Sequence, residues 1–207
     1  MPAVTAAPAP GRLTQASRRA RTRNALLEAA ARGLSRDGYG NLVLERVARE
    51  SGYTRGALYH LFANKEDLAL EVVKWIEKTW FAEVGYLLDD DADPVGALIA
   101  LARGHAVYCR RDVARVMMSL AVEFGGRDHP VGRAVESVGR RIIADCTRLI
   151  SAGRRSGAIP PGPPPRFLAA ALLGGLDGLM IHLSGSTRFD TLLAERVVRG
   201  VLGLPPA

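Results

Sequence analysis

Tyr53-Thr54-Arg55-Gly56-Ala57-Leu58-Tyr59-His60-Leu61-Phe62-Ala63-Asn64-Lys65-Glu66 decides how the rest of the chain is read. Thr54 offers a hydroxyl that caps the first turn of a helix, and Leu58 and Phe62, four residues apart, fall on one face of it. The other face presents Arg55, Tyr59 and His60: a guanidinium, a phenol and an imidazole able to meet phosphates or base edges. Gly56 and Ala57 are small, as close approach to a nucleic-acid backbone requires. Upstream, Leu44, Val47 and Ala48 stand at i, i+3 and i+4, so residues 43–50 read as a short amphipathic helix that ends in a Ser51-Gly52 turn. Two short helices joined by a tight glycine turn make a helix-turn-helix. Asn64 then caps a further helix, and Lys65 in its first turn lies beside exposed backbone N–H groups and the positive end of the dipole, a setting for a phosphate.

These residues carry a specific likeness: residues 22–72 resemble the DNA-binding domain of the TetR family of bacterial regulators. The family pattern of an Ala-Ala pair, Gly-Tyr, Ile-Ala, Gly-Val-Ser-x-Gly-x-Leu-Tyr-x-x-Phe and Lys-Glu is met by Ala29-Ala30, Gly38-Tyr39, Val47-Ala48, the run from Gly52 to Phe62, and Lys65-Glu66, with no gap in the spacing. Two departures stand out. The usual Leu-Phe of the first helix is Gly33-Leu34, which shrinks the local core, and the usual Thr-Ser before the second helix is Leu42-Val43. The second change removes a hydroxyl that in the family resembles a cap and phosphate contact; either Asn41 takes its place or the contact is lost.

Composition agrees independently. The chain of 207 residues has a formal net charge of +7, and the charge is uneven: 11 Arg or Lys face 6 Asp or Glu through Asp67, leaving 17 against 15 beyond it. Basic character therefore concentrates where a nucleic acid would lie. Arginine supplies 25 of the 28 basic residues, so part of the total charge reflects compositional bias. Residues 1–17, rich in Ala and Pro, are expected to be a disordered tail. Arg18, Arg19, Arg21 and Arg23 follow it, and they serve either as an arm on phosphates or the minor groove or as a solvated basic segment. Two cysteines without framework spacing, no signal-type apolar run near Met1 and no apolar stretch of about 18 residues lead to the expectation of a cytoplasmic protein.

Beyond the motif the pattern is helical and shows no strand alternation, so the fold class expected is all-α: an N-terminal three-helix helix-turn-helix domain at 18–66 joined to a larger helical ligand-binding and dimerisation domain at 67–207. Helices are expected at 68–86, 94–109, 111–124, 130–155, 166–184 and 187–202. The acidic run ending in Asp93-Pro94 invites a metal, yet a capping Asp with proline at the first helical position explains it better. Ala170, Ala171, Gly174, Gly175 and Gly178 are too small for a stable isolated helix but allow another helix close. With Leu192, Leu193, Val197, Val198 and Val201 they suggest a four-helix homodimer interface, where the family resemblance also places dimerisation.

Among the middle helices, Trp80, His105, Tyr108 and Cys109, together with Met117, Phe124 and His182, are candidates for a small-molecule pocket, although the same residue types also build ordinary cores. His105 and Cys109 share a face at i, i+4 as a metal pair would, but Cys146 and His182 are tied to them by no motif, so neither a metal nor a cofactor is expected. No nucleophile elbow, His-Glu-x-x-His, phosphate loop or dinucleotide fingerprint is present, and an enzyme is not expected. The resemblance implies a homodimeric repressor of a palindromic operator, released by a small-molecule inducer. Thr54, Arg55, Gly56 and Ala57 would meet bases, while Tyr59, His60 and Lys65, with Arg23 and Asn41, would fix register on double-stranded DNA. The other reading is a ligand-insensitive architectural protein or activator, which a closed core without a cavity would favour.

Overall fold

Capping residues set where several of the helices start. The computed structural model describes residues 14–89, 92–183 and 186–206, and within them every regular element is helical. Thr14 accepts a hydrogen bond from the Ser17 amide at 3.2 Å and opens α1 (Gln15–Asp37), so residues 15–17, expected in the tail, are helical; residues 1–13 lie outside the described residues. The motif helices fall as expected: α2 (Leu44–Glu50), then α3 (Arg55–Leu61), whose Thr54 cap accepts from the Ala57 amide at 3.2 Å. Asn64 accepts from the Asp67 amide at 2.9 Å and opens α4 (Lys65–Glu83). Asp93 caps α5 (Pro94–Tyr108) through the Gly96 amide at 2.9 Å, with Pro94 at the first helical position. Four more helices follow: α6 (Val116–Phe124), α7 (Pro130–Arg155), α8 (Pro165–His182) and α9 (Asp190–Leu202).

Three boundaries differ from the expectation. The helix expected at 68–86 starts at Lys65 and stops at Glu83, and a 3-10 turn over Gly85–Asp89 follows it, with the Phe81 ring against the face of Gly85 where a Cβ would stand. The helix expected from Arg111 begins at Val116. Residues 111–115 form tight turns instead, while Arg110 and Arg111 reach out to Asp190 and Glu83. The last helix begins at Asp190, not 187, because that carboxylate is drawn inward by Arg110 at 2.8 and 3.0 Å. Glu195, also buried, is held by Arg103 of α5 and by Arg199 at 2.7 Å, so one ion pair ties α9 to α5 and a second, from Arg110, ties it to the turn that follows α5. Hydrogen bonds from those arginines hold both carboxyls below the usual range.

The buried side chains form two clusters. The first gathers α1–α4, α6 and the start of α7 around Leu26, Leu34, Leu58, Phe62 and Leu68; the second gathers α5, α8 and α9 around Leu98, Leu101, Leu172 and Val198. Only α4 and α7 give buried side chains to both. On α4, Val72, Val73 and Ile76 enter the first cluster and Trp80 the second; on α7, Val131, Val135 and Val138 enter the first and Cys146, Leu149 and Ile150 the second. No helix among the described residues is long and apolar enough to cross a membrane.

The two sequence departures prove to be one. A Cβ on Gly33 would lie 2.7 Å from Leu42 Cδ1, so the leucine occupies the volume that a larger residue in α1 would need. Leu42 is itself buried. Gly33→Ala should gain helix propensity, up to about 1 kcal/mol, when Leu42 is Ala, and should lose most of that gain against the native leucine. A double-mutant cycle from urea unfolding should give a coupling of at least about 0.5 kcal/mol; additivity would show that Leu42 does not fill this space.

Candidate nucleic-acid interface and ligand cavity

The face of α3 is polar and open. Tyr59 and His60 are exposed, and Arg55, also exposed, lies over the Tyr59 ring at 5.3 Å and pairs with Glu45 at 3.2 Å. A Cβ on Gly56 would meet nothing closer than the Thr54 hydroxyl at 3.8 Å, so no packing within the chain calls for glycine there. Gly52, by contrast, turns α2 into α3 with φ of 75°, a left-handed value that favours glycine.

Other residues expected on DNA are already engaged. Arg23 pairs with Glu71 of α4 and lies 5.1 Å over Phe62. Asn41 does not cap α2: its amide donates to the Asp37 carbonyl at 3.1 Å, and Val43 stands at the cap position without a side-chain bond. Lys65 donates to the Gly40 carbonyl at 2.8 Å and sits 4.8 Å over the Tyr39 ring. At the start of α4 the Asp67 carboxylate takes the Ala63 amide at 2.9 Å and Asn64 takes the Asp67 amide, which leaves the Lys65 and Glu66 amides as first-turn donors with no partner among the described residues.

The Gly38–Asn41 loop held by Lys65 is gripped from its other side by α6. Glu123 accepts from the amides of Tyr39 at 2.6 Å and Gly40 at 2.7 Å, two charge-assisted bonds across 84 and 83 residues of chain. Next to it, Phe124 meets Tyr39 edge-on at 5.2 Å and stacks on His129 at 4.2 Å, and His129 in turn faces Glu66 at 3.7 Å. Nothing in the sequence marks Glu123, because its partners are backbone atoms distant in the chain.

Phe124 also lines a cavity of about 250 Å³ at the seam between the two clusters. Trp80, His105, Tyr108, Cys109, Met117 and Phe124, six of the seven candidates, are brought together there. His182 is the exception and is corrected: α8 turns Leu173 and Asp177 to the cavity and buries Met180, and two residues further round the helix His182 is exposed. Asp177, Glu77 and Glu136 were not among the candidates, although Asp177 is the one acidic residue of α8.

His105 is the polar centre. Its Nδ1 accepts from Trp80 Nε1 at 3.1 Å, and its Nε2 faces Cys109 Sγ at 3.4 Å and Asp177 Oδ1 at 3.5 Å. Burial lowers the imidazole pKa, while Asp177 and Cys109 raise it, up to about 10. Trp80 opposes the charged form, because a proton on Nδ1 would face the indole N–H donor to donor. In the neutral ring the hydrogen therefore sits on Nε2, toward Asp177 and Cys109, and charging the ring requires the indole to turn away. Cys146 lies apart, buried, with its thiol pushed up to about 12 by burial.

Two measurements check these contacts. Trp80→Phe removes the indole donor, so His105 should titrate at higher pH than in the parent chain, read from its imidazole proton shifts; an unchanged or lower value would mean that Trp80 does not restrain the tautomer. Glu123→Gln leaves one acceptor oxygen for two amides, so hydrogen exchange at Tyr39 and Gly40 should accelerate at least about tenfold with α8 and α9 unaffected.

Residues 26–72 match the family described as "Bacterial regulatory proteins, tetR family". An uncharacterized HTH-type transcriptional regulator, YxaF, of Bacillus subtilis (strain 168) is 36% identical over 78 residues, 37% of this chain and 41% of that protein. The A-factor receptor protein of Streptomyces griseus is 24% identical over 172 residues, 82% of this chain and 57% of the receptor. The chain thus spans less than two thirds of the length of either relative. Among solved structures, AibR in complex with isovaleryl coenzyme A and operator DNA superposes with a TM-score of 0.76 at 22% identity, covering 90% of this chain and all of that one, a likeness of fold.

Proposed function

We infer that this chain, which belongs to the tetR family of bacterial regulatory proteins, is a cytoplasmic transcription regulator that binds a palindromic operator as a homodimer and leaves it when a small molecule fills the cavity. One observation carries the reading: α6 lines the cavity through Met117, Met118 and Phe124 and, one residue before Phe124, grips the Gly38–Asn41 loop beneath Lys65 through Glu123. A ligand that moves α6 therefore acts on the anchor of the recognition unit without an intervening flexible segment.

In this reading residues 18–66 bind DNA and residues 67–207 hold ligand and partner. Thr54, Arg55, Gly56 and Ala57 meet bases, and Tyr59, His60 and the Lys65 end of α4 meet phosphates. Arg23 and Asn41 reach DNA only by giving up their present partners. The dimer face is narrower than the small-residue count suggests. Gly175 abuts Val197 and Val198 is fully buried, whereas Phe167, Ala170, Gly174 and Ile181 of α8 and Leu192 of α9 are exposed and available to a second copy. Two copies would set their α3 helices on successive major-groove faces, about 34–36 Å apart. AibR, solved with an acyl coenzyme A and operator DNA, offers a precedent for a cavity and a DNA face on this fold. A ligand-insensitive architectural role or activation fits less well, since the core is open where such a protein would be closed.

Footprinting on the DNA flanking its own gene, with excess competitor DNA, tests the reading. Two protected half-sites related by a dyad are expected. Lys65→Ala should weaken operator and random DNA alike and flatten the salt dependence by about one unit of slope. A changed sequence preference at constant salt slope would remove Lys65 from the phosphate contacts.

A further inference from the structure

Cys109 brings the one thiol to the cavity wall among the described residues, and it does not stand alone. Its Sγ lies 3.4 Å from His105 Nε2, and Asp177 Oδ1 lies 3.5 Å from the same nitrogen. Because the Trp80 indole donates to Nδ1, Nε2 carries a hydrogen in the neutral ring and in the charged ring alike, so the sulfur faces an N–H in both. With that nitrogen protonated the ring offers no lone pair toward Cys109 and Asp177, so the three groups suit a reaction at sulfur and not the coordination of a metal.

The surroundings select what reaches the sulfur. Cys109 is half-buried and borders the cavity of about 250 Å³, whose Trp80, Tyr108 and Phe124 rings and Met117 and Met118 thioethers accept an apolar tail. It also borders a second hollow, of about 110 Å³, lined by the charged Arg110, Asp112, Arg115 and Asp190. Cys146, in contrast, is buried, and burial pushes its thiol up to about 12, out of the reactive range.

We propose that Cys109 is a covalent attachment site for apolar electrophiles of the α,β-unsaturated carbonyl class, which enter the cavity and are captured by its sulfur. Sγ bonds to the β-carbon, the π pair of the C=C bond shifts to the α-carbon, and the hydrogen of the thiol ends there. No group leaves, and no oxidant or reductant is consumed. His105 is a positioning residue whose Nε2–H steadies the negative charge that sulfur carries during the attack. Release of the operator by the adduct rests on the cavity being the effector site; the addition itself does not.

Three ketones separate these steps: pentyl vinyl ketone, methyl vinyl ketone, which has the same reactive group without the tail, and ethyl pentyl ketone, which has the tail without the double bond. Each is incubated with the full chain, followed by intact mass and peptide mapping, and added to the operator complex. Pentyl vinyl ketone should add once, at Cys109, at least about tenfold faster than methyl vinyl ketone after each rate is divided by that for free cysteine, because its tail is buried before the bond forms. Cys146 should stay unmodified, ethyl pentyl ketone should add no mass, and Cys109→Ser should take up neither vinyl ketone. His105→Phe should lower the limiting rate of addition more than it weakens the reversible binding that precedes it; an equal loss in both would remove His105 from the reaction. Equal corrected rates for the two vinyl ketones, or no addition at Cys109, would overturn the attachment site. Operator release by ethyl pentyl ketone in that case would leave the effector reading standing without it. An adduct at Cys109 with the operator still bound would keep the attachment site and overturn the effector reading.

Discussion

A helix that runs through two cores cannot be moved at one end alone, and α4 and α7 are in that position. Ile76 belongs to the core that carries the motif and Trp80, one turn on, to the core that carries α5, α8 and α9; on α7, Val138 and Cys146 divide the same way. Interiors packed to crystal density respond to a displaced helix by repacking as a whole, not by local compression. The cavity lies where the two cores meet on these helices, so filling it bears on both at once.

Polar contacts give that apolar arrangement its direction. Glu123 takes two amides of the Gly38–Asn41 loop on one side, and Lys65 takes the Gly40 carbonyl on the other. Hydrogen bonds to charged groups contribute about 1.5–3 kcal/mol each, the same order as the 1–3 kcal/mol that typically couples two sites. Losing the Glu123 pair would therefore be enough to change the poise of the recognition unit. The opposite end is fixed: Glu195 pairs with Arg103 of α5, and Asp190 with Arg110 in the turn that follows it.

Charge is distributed with the same economy. Basic residues dominate up to Asp67, where DNA would be met, whereas the charged side chains that line the cavity among the described residues are, His105 aside, the carboxylates Glu77, Glu136 and Asp177. Arg141 and Arg140 pair with Glu77 and Glu136 from outside the cavity.

What the sequence by itself determined is local and periodic. The motif helices, the caps at Thr54, Asn64 and Asp93, the Pro130 start of α7 and the helical class were readable because capping, hydrophobic spacing and glycine turns act within a few residues. Aromatic and sulfur content also pointed to six of the residues that line the cavity, since those types gather wherever helices leave space. Only the tertiary structure decided that Leu42 fills the space above Gly33, that Glu123 holds a loop more than eighty residues away, that Asp177 faces His105, and that His182 turns outward. Each of these depends on which helix faces join across long stretches of chain, and no pattern of neighbouring residues encodes a partner that is brought near only by packing.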